Sequence, residues 1–147
     1  MYVWWFGGLV IDEAYWAQFG AHLSADDLGR VLRRSRLAAY RWLREGIVPG
    51  HQISGTWVVF KESVVGYLED PESSHVLPTT FLASFPEELS VEDVAKMLGL
   101  STKTIYKFLA AGDLPGRRVG GFWVLYKSEI KQRLEQTYNG NPLDRSA

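Results

Sequence analysis

The chain has no cysteine, two methionines and three histidines among its 147 residues. Without cysteine there is no disulfide, no thiol nucleophile and no cysteine-ligated zinc site, which suits a reducing compartment. His22, His51 and His75 are too scattered for their spacing to suggest a metal site. No run approaches the roughly 20 apolar residues that cross a bilayer. The N-terminus lacks the basic region of a signal peptide and carries Asp12 and Glu13 early. A mature cytoplasmic protein with no membrane association is therefore expected. Neither sign of charge dominates, with a formal net charge of −1. Catalytic sets, nucleophile motifs and phosphate-binding glycine loops are also missing, so neither an enzyme nor a cofactor is expected.

What the chain does contain is one pattern written twice. Leu23 aligns with Leu89, and the match runs without a gap to Glu69 on Glu135. Roughly a third of the aligned positions are identical, concentrated at Ser, Tyr, Leu, Gly, Pro-Gly and Trp-Val positions that open, pack and close short elements. Such self-similarity predicts two small domains of one fold in tandem. Each is near the lower size limit for an independent core, so the two are expected to lean on each other or on the N-terminal segment.

The second copy is the cleaner text. Ser90 precedes the helical apolar pattern Val94, Ala95, Met97, Leu98, and Asp93 stands three residues after it, a capping-box-like start. Gly99 closes that helix. Ser101 caps a second helix whose inward stripe is Ile105, Phe108 and Leu109, and Gly112 ends it. Two short helices joined by a tight glycine turn make a helix-turn-helix. A turn at Leu114-Pro115-Gly116 then leads to strands at Arg117 to Val119 and Phe122 to Tyr126 around Gly120-Gly121, and a last helix runs from about Lys127 to Gln136.

In order and spacing, this stretch resembles the excisionase-type, MerR-like winged helix-turn-helix family. The resemblance rests on Leu89-Ser90, the acidic-apolar first helix, Leu98-Gly99-Leu100-Ser101, Thr104-Ile105-Tyr106-Lys107, Gly112 to Pro115, and the glycine hairpin with its aromatic return. It covers both copies and implies an α+β, mostly helical protein: a tandem duplication of a small winged helix-turn-helix with an aromatic N-terminal extension. The expected boundaries are 1–22 for the extension packing on copy one, 23–70 for copy one, 71–88 for a partly packed linker, 89–136 for copy two and 137–147 for a flexible tail.

The resemblance also implies a DNA face. In copy two, Thr102 and Lys103 lie at the leading end of the recognition helix, where base edges are read. Tyr106 and Lys107 would meet phosphates, and Arg117 and Arg118 stand on the wing. In copy one the corresponding set is Arg36, Tyr40 and Arg41, with Arg33 and Arg34 at the turn. Copy one departs from the pattern in several places. Arg33-Arg34 replace Gly99-Leu100, Ala39 replaces Ile105 with Trp42 in place of Phe108, and His51-Gln52 replace Arg117-Arg118. Neither wing tip carries a cation, so both wings should hold phosphate weakly. Copy one is thus either a second DNA reader or a scaffold that packs on its twin or a partner.

The first twenty residues are strongly aromatic, with Gly7-Gly8 as a bend and Asp12 as the cap of a short helix through Phe19. They are read as a strand and helix covering copy one, or as a surface for self-association or partner docking through Trp4, Trp5 and Trp16. The linker is too apolar for a free tether. Stretched at roughly 3.4 Å per residue it spans the roughly 34 Å of one DNA turn. Three functions remain open: a sequence-specific transcription regulator of bacterial or phage type, a recombination directionality factor that bends double-stranded DNA beside an integrase, and an adaptor, for example for RNA polymerase, with degenerate DNA faces. The first two place the protein on the nucleoid.

Overall fold

A computed structural model of the chain describes residues 3–6, 9–71 and 77–140, with side chains from Asp12 onward. A short antiparallel hairpin, β1 (Val3–Phe6) and β2 (Leu9–Asp12), opens the chain, with Phe6 paired to Leu9. Gly7-Gly8, read as a bend, lies outside the described residues, as do the side chains of Trp4 and Trp5. Asp12 accepts a hydrogen bond from the Ala14 amide and starts α1 (Glu13–Trp16). That helix ends three residues before Phe19, and turns carry the chain on.

Two helices follow: α2 (Ala25–Leu32) and α3 (Arg36–Arg44). The chain then forms the hairpin β3 (His51–Ile53) and β4 (Thr56–Val58) and the helix α4 (Lys61–Glu69). The segment read as a linker contains α5 (Thr79–Ala83) and the short strand β5 (Glu88–Leu89). The order of two helices, hairpin and helix then recurs as α6 (Val91–Leu98), α7 (Thr102–Ala111), β6 (Arg117–Val119), β7 (Phe122–Tyr126) and α8 (Lys127–Thr137). The fold is α+β with small antiparallel sheets, the C-terminal one ordered β5-β7-β6. No helix among the described residues is long and apolar enough to cross a membrane.

Equivalent positions 66 residues apart also share hydrogen bonds upstream of the aligned region. The Lys61 ammonium donates to the carbonyls of Trp16 and Phe19, and the Lys127 ammonium donates to those of Leu82 and Phe85. The Lys61 amide bonds the Ala21 carbonyl as the Lys127 amide bonds that of Glu87. Each lysine thus ties the start of its third helix to the segment leading into its first.

The hydrophobic core comes in two parts. The smaller holds Trp16, Phe19, Leu23, Leu28, Ala39, Leu43, Val48, Val59 and Val64. Trp16 is only 8% exposed. It belongs to the same buried cluster as Ala39, so its side chain is not presented on the docking surface expected of the extension. The larger part centres on Val94, Met97, Leu98, Ile105, Phe108, Leu125, Ile130 and Leu134, and takes in Leu77, Leu82 and Phe85 of the former linker. It also takes in Ile53, Val58 and Phe60 of the N-terminal half. The two halves therefore share a core, and packing sets their mutual orientation.

Polar groups lock the same joint. The His51 ring, 1% exposed, bonds through Nδ1 to the Leu134 carbonyl at 2.6 Å. The His22 Nε2 bonds the Met97 carbonyl at 2.8 Å, with its ring against Phe60 and Phe81. The Glu62 carboxylate accepts the Thr80 and Phe81 amides at the start of α5. Residues 138–140, expected at the start of a flexible tail, are built into this joint instead. Tyr138 bridges to His51, the Asn139 carboxamide donates to the Leu43 and Val48 carbonyls, and its oxygen accepts the Gly50 amide. The carboxamide thus joins the Gly46 amide on the Leu43 carbonyl and satisfies the Val48 carbonyl and the Gly50 amide just beyond α3.

Candidate nucleic-acid interface

In the C-terminal half, the angle between α6 and α7 follows from three short-range features. Ser90 and Asp93 form a reciprocal capping box, each accepting the other's amide at 3.0 Å. Gly99 ends α6 with φ +70°, a left-handed conformation that glycine adopts without strain. The Ser101 hydroxyl accepts the Thr104 amide at 3.2 Å and starts α7. Ile105, Phe108 and Leu109 point inward. By helical periodicity the opposite face carries Thr102, Lys103, Tyr106 and Lys107, and all four are exposed.

That face has the properties of a groove-reading surface. It lies in the first two turns of a helix narrow enough for the major groove. Lys103 and Lys107 make no hydrogen bond or ion pair among the described residues, so no internal partner competes for a phosphate. Tyr106 is 49% exposed.

The two wing arginines are placed differently from each other. Arg117 is engaged as a fork with the Glu129 carboxylate, at 3.0 and 2.8 Å. This pairing holds its guanidinium proton more firmly than usual and offsets its charge toward a phosphate. Arg118 lies on the other face of the hairpin, over the Trp123 ring at 5.8 Å, with its charge exposed.

In the N-terminal half, Ser24 and Asp27 form the same capping box. The turn glycine is replaced, yet Arg33 still adopts φ +58° and closes α2. The substitution costs strain without changing the turn. Arg34 folds back over Trp42 and bonds the Arg33 carbonyl. Arg36 lies over the Tyr40 ring at 5.8 Å and 3.9 Å from Asp26. Arg41 and Arg44 are exposed along α3. The structure thus brings Arg36, Tyr40 and Arg41 onto one helix and sets Arg33 and Arg34 beside its start.

One residue on this face escaped the list of candidates. Leu37 occupies the position of Lys103 and is 80% exposed, the most exposed large apolar side chain among the described residues. Its signal was present in the alignment, since an apolar residue at an outward helical position has no core to explain it. The described residues include no His, Asp or Glu cluster able to hold a metal.

No curated protein and no solved structure matches the chain. Residues 88–138, from the start of β5 to the residue that follows α8, match the family model of a helix-turn-helix domain, which supports a DNA-binding role for the C-terminal half.

Proposed function

We propose that the protein is a tandem winged helix-turn-helix reader of double-stranded DNA, built from two copies of one unit. In this reading α7 and α3 each enter a major groove. Thr102 and Lys103 lie against base edges in one half, and Arg36 and Leu37 in the other. Lys107, Arg118, Arg41 and the turn arginines Arg33 and Arg34 neutralise phosphates. The observation that carries the reading is the pair of unpartnered lysines on the exposed face of α7, within the stretch that matches a helix-turn-helix domain.

The shared core adds a geometric consequence. Because His22, His51, Phe60 and Asn139 hold the halves together, the two recognition helices present one spacing and one angle. Their outward residues differ, so the site is a non-palindromic, bipartite one read by a single chain. The preferred biological role is a transcription regulator of bacterial or phage type, with a DNA-bending directionality factor as the alternative.

An adaptor reading is favoured by Leu37, whose exposed apolar side chain also fits a protein groove. A bound thymine methyl would explain it equally well. The test is selection from a randomised duplex pool by the wild-type chain and by Lys103→Ala and Leu37→Ala variants. Loss of preference at separate positions of one bipartite motif supports two readers. A Leu37→Ala variant with an unchanged motif assigns that helix to protein contact.

A further inference from the structure

Leu37 is the second residue of α3, at the leading end of the helix, and it is 80% exposed. The Ser35 hydroxyl accepts the Ala38 amide at 3.1 Å and fixes the first turn, so the cap sets where Leu37 stands. Helical geometry keeps it outside. Ala39 and Leu43 carry the buried stripe of α3, and Leu37 lies about 200° around the helix from Ala39. Its side chain therefore leaves the helix on the side away from the core.

Its surroundings select the kind of surface it meets. Arg41 and Arg44 follow it on the same stripe, four and seven residues on, Arg36 precedes it, and Arg33 and Arg34 stand at the turn before α3. All five arginines are exposed, and α3 contains no acid. One apolar side chain among five guanidinium groups complements a polyanion that carries a small apolar feature. It is too little to anchor a protein interface, which gathers several apolar side chains at its centre. The major groove of duplex DNA has the matching composition. Phosphates line its two walls, and the C5-methyl of thymine is the apolar group on its floor. In the other half Lys103 holds the same helical position and offers donors to base acceptors instead.

We propose, on the DNA reading above, that Leu37 is a specificity-determining residue that reads the C5-methyl group of a pyrimidine in the major groove. The chemistry of the side chain sets what it distinguishes. A leucine has neither donor nor acceptor, so it forms no hydrogen bond with the O4 of thymine or the N4 of cytosine. It responds to the methyl alone. 5-Methylcytosine carries the same methyl at the same ring position, facing the same groove. Leu37 therefore accepts thymine or 5-methylcytosine and discriminates against cytosine. Methylation of a cytosine at that step raises the affinity of the chain for its site, through the N-terminal half.

The test uses the duplex selected by the wild-type chain, with affinity read by fluorescence anisotropy at one fixed salt concentration. Each thymine in turn is replaced by deoxyuridine, which removes the methyl and keeps the base pair. Burial of one methyl is worth about fourfold in affinity, so replacement at one position should weaken wild-type binding by that factor. Leu37→Ala ends two bonds short of the contact and should bind the thymine and deoxyuridine duplexes alike at that position. Leu37→Met should keep the difference. At the same position a 5-methylcytosine–guanine pair should bind as the thymine–adenine pair does, and a cytosine–guanine pair about fourfold more weakly. Leu37 lies outside the core, so neither variant removes a packing contact, and circular dichroism checks each fold. A wild type that binds the selected duplex but is indifferent to every deoxyuridine replacement overturns the proposal. So do methyl effects that all survive Leu37→Ala, or a 5-methylcytosine pair no better than cytosine. Each of these leaves the DNA reading standing, because the selected duplex is still bound. A chain that selects no duplex overturns both.

Discussion

Replacing Gly99 by alanine tests the joint between the halves at one atom. The added methyl meets the His22 ring at 2.6 Å, and the backbone sits at φ +70°. The left-handed conformation alone costs about 1 kcal/mol. Moving the ring breaks its bond to the Met97 carbonyl, worth about 1 kcal/mol. It also disturbs the contacts with Phe60 and Phe81, worth about 1 kcal/mol more. The expected loss is about 3 kcal/mol. His22→Ala alone should cost about 2 kcal/mol through the same bond and packing. In the double variant those losses occur once, leaving about 3 kcal/mol rather than the additive ~5 kcal/mol. Urea unfolding of the four proteins measures this. Strictly additive losses would refute the contact and, with it, the argument that His22 helps set the relative angle of the two recognition helices.

Asn139→Ala leaves the Val48 carbonyl and the Gly50 amide without partners and removes one of the donors to the Leu43 carbonyl, and should cost about 2 kcal/mol in chemical denaturation, although the residue stands at the edge of an expected tail. Burial holds the His22 pKa below its ordinary 6.5, against the opposing pull of the Met97 carbonyl. Protonation therefore favours the unfolded chain. Stability should decline as pH falls below about 6.5 and level off below the folded pKa, and a His22→Gln variant, compared by thermal melts, should lose that part of the slope. Lys107→Ala should weaken binding to all duplexes and reduce the salt slope by about one, whereas Lys103→Ala should relax base preference at one position. Both are read by fluorescence anisotropy at several salt concentrations.

The local elements of the C-terminal half were legible because each has its own short-range signal. Ser90, Ser101, Gly99, Gly112 and the Gly120-Gly121 hairpin act within four residues of themselves, and the structure places every one where the pattern does. What the sequence hid was longer in range. Alignment began at Leu23, yet Trp16 and Phe19 occupy the places of Leu82 and Phe85, a match of main-chain bonding in which only the phenylalanines are identical. The joint was invisible for a related reason. His22, His51 and Asn139 bond main-chain carbonyls 75 to 96 positions away, and a carbonyl carries no residue-type signature. Arg33 shows the opposite case, since the turn glycine is lost from the sequence while the left-handed turn is kept by an arginine.

The DNA reading is tested most directly by selecting bound sequences from a randomised duplex pool and measuring the affinity of the winner against salt. The account predicts a single bipartite, non-palindromic motif with a fixed gap, bound with a steep salt dependence that Lys107→Ala reduces. A motif whose two halves tolerate variable gaps would contradict the rigid joint. Absence of any enriched motif, with binding unaffected by Lys103→Ala and Lys107→Ala, would contradict the assignment of α7 as a reader of DNA.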